Sequence, residues 1–260
     1  MVNTHSKHRI MIVGGGVAGL EIAASMGRRW RGGDRKHEHA PSVILVDRDS
    51  AHVWKPMLHT IAAGTRDVSQ QQTTYVGLAK DAEFSFQPGE LAGLNRKARE
   101  IMLADLRAPD GRLLIPARSL AYDTLVIALG SQANDFGTPG AVEHCWTIDS
   151  RTQADAFNQE VRLRMLQCLA QEIPLSIAIV GGGATGVELA AELVQLTELA
   201  ISYGAAGLAD RISITLIESG PGLLAAFPKD ISQATQTRLE SLGIRVMTGT
   251  RVKSVESEAF

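Results

Sequence analysis

Two stretches far apart in the chain carry the same order of apolar and polar positions. Ile10-Met11-Ile12-Val13 and Ile177-Ala178-Ile179-Val180 are uninterrupted apolar runs of strand length, each followed by three glycines and then a segment with apolar residues at helical spacing. Aligned without a gap, residues 10–26 and 177–193 are identical at ten of seventeen positions. Short runs rich in β-branched residues suit strands buried on both faces, so each stretch predicts a parallel-sheet strand, a tight turn and a helix packed back on the sheet. A second apolar run follows each helix and ends on an acid: SVILVDRD reaches Asp47 and ISITLIES reaches Glu218.

Between the two units the pattern changes. From Glu90 to Ser131, short apolar stretches alternate with turn signals, notably Asp110-Gly111, and predict an antiparallel meander. It closes in a buried strand over 124–129 that emerges at Gly130, where another body can approach closely. Gln153 to Cys168 predicts a helix, and Pro174 marks entry to the second repeat. The turn cluster NDFGTPGA places a boundary near 135–145 and divides the chain into domains 1–140 and 141–260. A length of 260 residues with 45% hydrophobic composition supports two such cores.

Each turn has the spacing G-x-G-x-x-G, with Gly14, Gly16 and Gly19 in the first copy and Gly181, Gly183 and Gly186 in the second. In a dinucleotide-binding βαβ unit the first glycine permits the tight turn, the second lets backbone approach a pyrophosphate, and the third lets the helix pack closely. Ala23 and Ala190 keep that packing close one turn later. The pyrophosphate then faces unpaired N–H groups at a helix start, where the macrodipole also favours it. The acid ending the second strand completes the pattern by bonding an adenosine ribose, normally about 20 residues on. Asp47 lies 28 residues beyond Gly19 and Glu218 lies 32 beyond Gly186, the excess being carried by the inserts RRWRGGDRKHEHAP and SYGAAGLADR. A carboxylate at 218 repels a 2′-phosphate, and Ser219 and Gly220 offer no arginine to hold one, so NADH is favoured over NADPH.

Composition removes several function classes. The 26 basic and 28 acidic residues nearly cancel and form no long run of one sign, so a nucleic-acid footprint is missing. Cys145 and Cys168 are too few and too far apart for a disulfide framework, a CxxC pair or a thiolate zinc site, and read as inert packing residues of a reducing compartment. The start MVNTHSKHRIM lacks the apolar core of a secretory signal. The longest uncharged run, Ile173 to Val187, is fifteen residues interrupted by three glycines, short of the roughly 20 apolar residues a spanning helix needs. Peripheral attachment through an amphipathic helix stays open. His37 and His39 sit in a hydrophilic insert that explains them without a metal, and no metal site is expected.

The tandem units, with a strand ending in Ala128-Leu129-Gly130 before the second, resemble the two-dinucleotide-binding flavoproteins. HVWKPMLHTIAAGT at 52–65 is similar to the segment after the second strand in type II NADH:quinone oxidoreductases, the non-proton-pumping respiratory NADH dehydrogenases. YDTLVIALGSQANDFGTPG, GGGATGVELAAEL and GPGLLAAFPKDI share the texture of proteobacterial members, so the resemblance covers about 8 to 253. It implies an α/β fold of two Rossmann-like dinucleotide-binding domains, each a parallel sheet with helices plus an antiparallel β-meander. It also implies FAD in the first copy and NADH in the second. In that family the chain returns to the FAD domain through a glycine–aspartate motif and ends in a quinone pocket and membrane anchor. Here the last residues read as the opening strand of the second unit's own meander, so an N-terminal part with an incomplete FAD domain is expected.

The resemblance further implies a protein peripheral on the inner face of the bacterial cell membrane, with a membrane quinone as acceptor, and it admits a homodimer. Hydride transfer between cofactors needs no protein nucleophile or metal. The candidate FAD residues are Gly14, Gly16, Val17, Ala18, Gly19, Asp47, Ala128 and Gly130, with Lys55 and Pro56 carried over toward the isoalloxazine; a solvated loop lysine is the alternative for Lys55. Gly181, Gly183, Ala184, Thr185, Gly186 and Glu218 are the candidates for NADH. Glu188 is the candidate catalytic residue, against simple pairing with the helix dipole in the first turn. Glu21, its counterpart in the first copy, has the same alternative more strongly. His52 and His59 flank the WKPMLH segment. Competing activities on the same scaffold are disulfide, sulfide:quinone and ferredoxin-type reduction. Residues 48–80 contain no cysteine, against the first, and only Cys145 could serve the second. A truncated nucleotide-binding module or NADH sensor is the remaining reading.

Overall fold

The computed structural model describes residues 7–30, 40–65, 73–108 and 110–257, so His37 and His39 lie outside the described residues. In chain order the first elements are β1 (Arg9–Val13), α1 (Val17–Arg29), β2 (Ser42–Asp47), β3 (Ala51–His52), α2 (Leu58–Ala63), β4 (Thr73–Thr74), α3 (Tyr75–Ala82) and β5 (Ser85–Pro88). A group of short strands follows: β6 (Leu91–Asn95), β7 (Glu100–Leu103), β8 (Leu106–Arg107), β9 (Leu113–Ile115), β10 (Arg118–Ala121) and β11 (Thr124–Ile127). Then come α4 (Ala141–His144), α5 (Arg151–Gln171), β12 (Leu175–Val180), α6 (Ala184–Ser202), β13 (Ile212–Ile217), α7 (Lys229–Ser241) and β14 (Arg245–Met247). The chain divides into two compact units, Met1–Trp54 with Ser69–Ser131 and Lys55–Val68 with Gln132–Phe260.

In the first unit a four-stranded sheet runs in the order β11-β1-β2-β5, with all pairs parallel. Strand alternation sends Ile10 and Ile12 into a core with Ala23, Val43, Leu45, Tyr75 and Phe84, which draws on α1 and α3. Met11 and Val13 enter a second core with Val46, Ile101, Leu103 and Tyr122 on the meander side. This explains why β1 is apolar without alternation: both of its faces are covered. The meander is antiparallel in the order β10-β7-β6, and β8–β9 adds a hairpin around Asp110-Gly111 with Gly111 at φ +84°. β11 stops at Ile127 rather than 129 and is only half-buried, because it pairs with β1 at the sheet edge.

The second unit repeats the parallel core as β12-β13-β14. Here the expectation of a strand buried on both faces fails for β12. Ser176, Ala178 and Val180 are exposed, because β12 is an edge strand and its outer face lacks a meander layer among the described residues. α5 extends beyond 153–168 at both ends. Its start is set by a capping box in which Ser150 accepts from the Gln153 N–H and Gln153 accepts from the Ser150 N–H, and it stops at Glu172, which adopts the left-handed conformation. Within the second insert Leu208 is buried, at 2% exposed. Residues 251–257 form no strand; instead the Val255 N–H donates to the Pro139 carbonyl at 2.8 Å, which corrects the expected meander opening.

Candidate functional site

The first glycine turn is built by close backbone approach. Gly14 has φ +103°, and a Cβ there would strike the Ala128 carbonyl oxygen; Gly14 N–H donates to Val46 O and Ala128 N–H to Val13 O, both at 2.8 Å. Ala128 therefore shapes the turn with its backbone, while Gly130, at φ +72°, faces open space. A Cβ on Gly19 would strike the Gly14 carbonyl, so the third glycine is required by the turn itself. At Gly16 a Cβ would meet nothing within 4 Å. Gly16, Val17 and Ala18 are exposed, and no side chain caps the helix. A helix start with unpaired N–H groups and vacant space beside its second glycine fits a pyrophosphate.

The second turn has the same construction. Gly181 has φ +114° and donates to Ile217 O at 2.8 Å, a Cβ on Gly186 would strike Gly181 O, and Gly183 faces open space with no side-chain cap. Ala184 and Thr185 are exposed in the first turn of α6. Both turns fit the same kind of group.

The acids close the two cradles in the same way. Asp47 accepts from the Gly15 N–H through Oδ2 and from the Asp49 N–H through Oδ1. Glu218 accepts from the Gly182 N–H at 2.7 Å through Oε2, while Oε1 accepts from the Gly220 N–H and the Ser219 hydroxyl. Burial pushes the Glu218 carboxyl up, but these donors outweigh it and hold it below the usual carboxylate range. Each carboxylate thus fixes the peptide N–H of the middle glycine and keeps lone pairs for further donors.

Lys55 and Pro56 form a 3-10 turn, Lys55–Met57, that belongs with the second unit rather than with the first glycine turn. Lys55 is not simply solvated: its Nζ lies 3.4 Å from Asp149 Oδ1, and Asp149 Oδ2 accepts from the Ala133 N–H at 2.7 Å. The following helix, α2, is buried along its whole length against α5 and α6. Three polar ties hold it there. Asn158 Nδ2 donates to Ala62 O at 3.1 Å, the Thr65 hydroxyl donates to Glu192 at 2.6 Å, and His59 Nδ1 lies 3.1 Å from Glu188 Oε2.

That last contact revises the reading of Glu188. It is the fifth residue of α6, beyond the first turn, and it faces a histidine that is 7% exposed. Glu21 likewise lies past the first turn of α1, where it accepts from the Ser25 hydroxyl at 2.9 Å and lies 3.7 Å from Arg28. Dipole pairing in the first turn describes neither acid. Of the cysteines, Cys168 is buried as expected, but Cys145 is exposed because it follows the one-turn helix α4 at the surface.

Sequence reasoning gave no role to Tyr75, His52, His59 or Asp149. One visible signal pointed toward Tyr75. The fingerprint leaves the residue between its first two glycines unspecified, yet both copies have glycine there. A Cβ on Gly15 would strike the Tyr75 hydroxyl, and one on Gly182 would lie 2.6 Å from Leu223 Cδ2.

The family model described as pyridine nucleotide-disulphide oxidoreductase matches residues 8–260. A type II NADH:quinone oxidoreductase of Haemophilus influenzae is 37% identical over 95% of this chain and 59% of its own length. A demethylphylloquinone reductase of Synechocystis is 30% identical over 97% of this chain and 56% of its own. The chain thus spans little more than half the length of these curated relatives. Among solved structures, NDH2 of Plasmodium falciparum in complex with NADH superposes with a TM-score of 0.81 at 22% identity, over 97% of this chain and 50% of that one. The sulfide:quinone oxidoreductase of Aquifex aeolicus gives 0.70 at 18% identity, over 96% and 52%. At these identities the structures establish the shared fold.

Proposed function

We propose, from the premise that the chain belongs to the pyridine nucleotide-disulphide oxidoreductase family, that it carries the two cofactor cradles of an NADH:quinone oxidoreductase of the type II class. The observation that carries this reading is the duplication itself: two strand–turn–helix–strand–acid units, each with its second glycine open to solvent and its terminal acid fixed on the middle glycine. Two dinucleotide cradles in one chain suit a reaction in which one dinucleotide delivers a hydride to another. The names of the relatives from Haemophilus and Synechocystis support a quinone as the final acceptor.

In this reading the peptide N–H groups from Gly16 to Gly19 hold the FAD pyrophosphate, and Asp47 takes the ribose. Ala128 and Gly130 border that approach. Gly181, Gly183, Ala184, Thr185 and Gly186 hold the NADH pyrophosphate, and Glu218 accepts from its adenosine ribose while repelling a 2′-phosphate. Bound FAD supplies the hydride acceptor and two-electron store that no side chain offers. Lys55 and Pro56 are assigned toward the flavin ring system. Glu188 is assigned the catalytic role, held in place by His59. Two cysteines, one exposed and one buried, supply no adjacent redox pair for disulfide reduction.

The proposal extends to peripheral association with the inner face of the bacterial membrane and to a homodimer. No helix among the described residues is long and apolar enough to cross a membrane. Steady-state NADH oxidation by the full-length protein tests the activity, with menaquinone and ubiquinone analogues set against ferredoxin and small disulfides. Quinone is expected to be the efficient acceptor, and preference for ferredoxin or a disulfide overturns the proposal.

A further inference from the structure

The two cradles hold their middle glycines from opposite sides, and the side away from the acid differs between the copies. In the second copy the Gly182 carbonyl accepts a backbone N–H, that of Leu224, at 2.8 Å. In the first copy the Gly15 carbonyl accepts two side-chain donors, the Tyr75 hydroxyl at 2.7 Å and His52 Nδ1 at 3.0 Å. A carbonyl oxygen only accepts, so His52 Nδ1 carries the hydrogen in this contact.

The local structure explains why these two side chains converge. β3 pairs with β4 in the register His52 to Thr73, and the Tyr75 N–H donates to Ser50 O at 3.1 Å, so the two-strand ribbon sets both rings beside the glycine turn. The Tyr75 ring is 3% exposed and stacks on Phe86 at 5.0 Å, and His52 meets it edge-on at 6.4 Å. Burial, with the Asp47 and Asp49 carboxylates adding to it, pushes the Tyr75 phenol well above its ordinary value and keeps it a proton donor.

In a trans peptide the C=O and the following N–H point in opposite directions. We infer that Tyr75 and His52 are positioning residues for the first cradle: by holding the Gly15 carbonyl they turn the Gly16 N–H toward the open face of the turn, where an FAD pyrophosphate would sit. Asp47 fixes the preceding peptide through the Gly15 N–H, so both peptides flanking Gly15 are pinned before the cofactor arrives. Preorganisation of this kind raises affinity by removing the cost of ordering the loop on binding. The inference rests on the reading of the first cradle as the FAD site.

The test titrates the flavin-stripped full-length protein with FAD. Tyr75→Phe deletes one donor and keeps the ring on Phe86, His52→Ala deletes the other, and His52→Asn returns an amide N–H near the former Nδ1. The FAD Kd is expected to rise on the order of tenfold for each deletion and further for both, with recovery in His52→Asn. The 31P resonances of the bound pyrophosphate should move in the same variants. The NADH Kd should stay within about twofold, because a backbone donor holds the second cradle. A double variant whose FAD Kd stays within about threefold of wild type, with unmoved 31P resonances, overturns the clamp. Wild-type protein that binds no FAD overturns the underlying reading, a distinct result. Should the double variant fail to fold, Tyr75→Phe carries the test with the same Kd and 31P criteria.

Discussion

Replacing the second and third glycines of one fingerprint by alanine should separate folding from cofactor binding. At Gly183 the backbone is at φ −74° and ψ 178°, which alanine adopts freely, and the added Cβ meets nothing within 4 Å. Restricting the unfolded chain favours the variant by about 0.4–1 kcal/mol, while alanine is the poorer N-cap by a similar amount, so the two nearly cancel. The methyl group would nevertheless occupy the space beside the unpaired N–H groups. Loss of one N–H to phosphate bond costs about 1.5–3 kcal/mol, a roughly tenfold to 150-fold rise in NADH Kd. At Gly186 the same methyl is driven into the Gly181 carbonyl, closer than any real Cβ contact. Overpacking of about 3 kcal/mol, less about 1 kcal/mol gained in helix propensity, leaves roughly 2 kcal/mol of destabilisation. At about 2–4 °C per kcal/mol for a unit of this size, Tm should fall by about 4–8 °C for Gly186→Ala and by less than about 2 °C for Gly183→Ala. Thermal melts of the apoprotein and fluorescence titration with NADH read the two quantities. A Gly183→Ala protein that binds NADH within about twofold of wild type, or melts as low as Gly186→Ala, refutes the reasoning.

Further consequences are accessible to standard measurements. Glu188→Gln in the full-length enzyme should lower kcat more than it raises the NADH Kd, and equal effects on both would count against a catalytic role. His59→Phe should lower kcat in the same direction, with little change in the Kd. Glu218→Gln sets an amide NH2 against one of two backbone N–H donors, so it should destabilise the second unit by about 1–3 kcal/mol at neutral pH and raise the NADPH to NADH ratio of kcat/KM. Because the Glu218 carboxyl is lowered on folding, its contribution is fully present above its ordinary value of 4.5 and is lost as pH falls through the lowered one; the Tm gap between wild type and Glu218→Gln should therefore close on acidification. Lys55→Met should cost less than about 1 kcal/mol in a urea melt, since the Lys55–Asp149 pair is 44% and 22% exposed.

The parts of the fold that were legible in sequence are those dictated by local backbone rules. Gly14 and Gly181 sit at positive φ, Gly19 and Gly186 sit against the turn carbonyl, and Asp47 ends β2, all as the spacing implies, while Glu218 is the residue just after β13, which stops at Ile217. What was not legible depends on residues distant in the chain. β12 has the same apolar run as β1 but a different burial, because coverage is decided by the layer outside the strand and not by the strand. Lys55 and His59 lie in a segment following β3, yet their partners Asp149 and Glu188 are 94 and 129 residues later. No local pattern encodes a contact of that separation. The capping box at Ser150 and Gln153 is the opposite case: its signal is local and would have corrected the start of α5.

The three consecutive glycines join these two kinds of knowledge. A dinucleotide turn needs only the outer pair, so the middle one reports pressure from something outside the repeat, and that pressure differs between the copies. At Gly15 it comes from the Tyr75 hydroxyl, and at Gly182 from Leu223 and the Glu218 Cβ at 2.9 Å. The donors to the two carbonyls differ accordingly, a phenol and an imidazole in one case and the Leu224 peptide in the other. Apart from the middle glycine, identity within the repeat marks what the turn and helix require of themselves. The specialisation of the two cradles lies in segments that do not repeat, the β3–β4 ribbon for the first and the 219–224 loop for the second. Each cradle's affinity is therefore open to change from its own flanking segment without altering the shared turn.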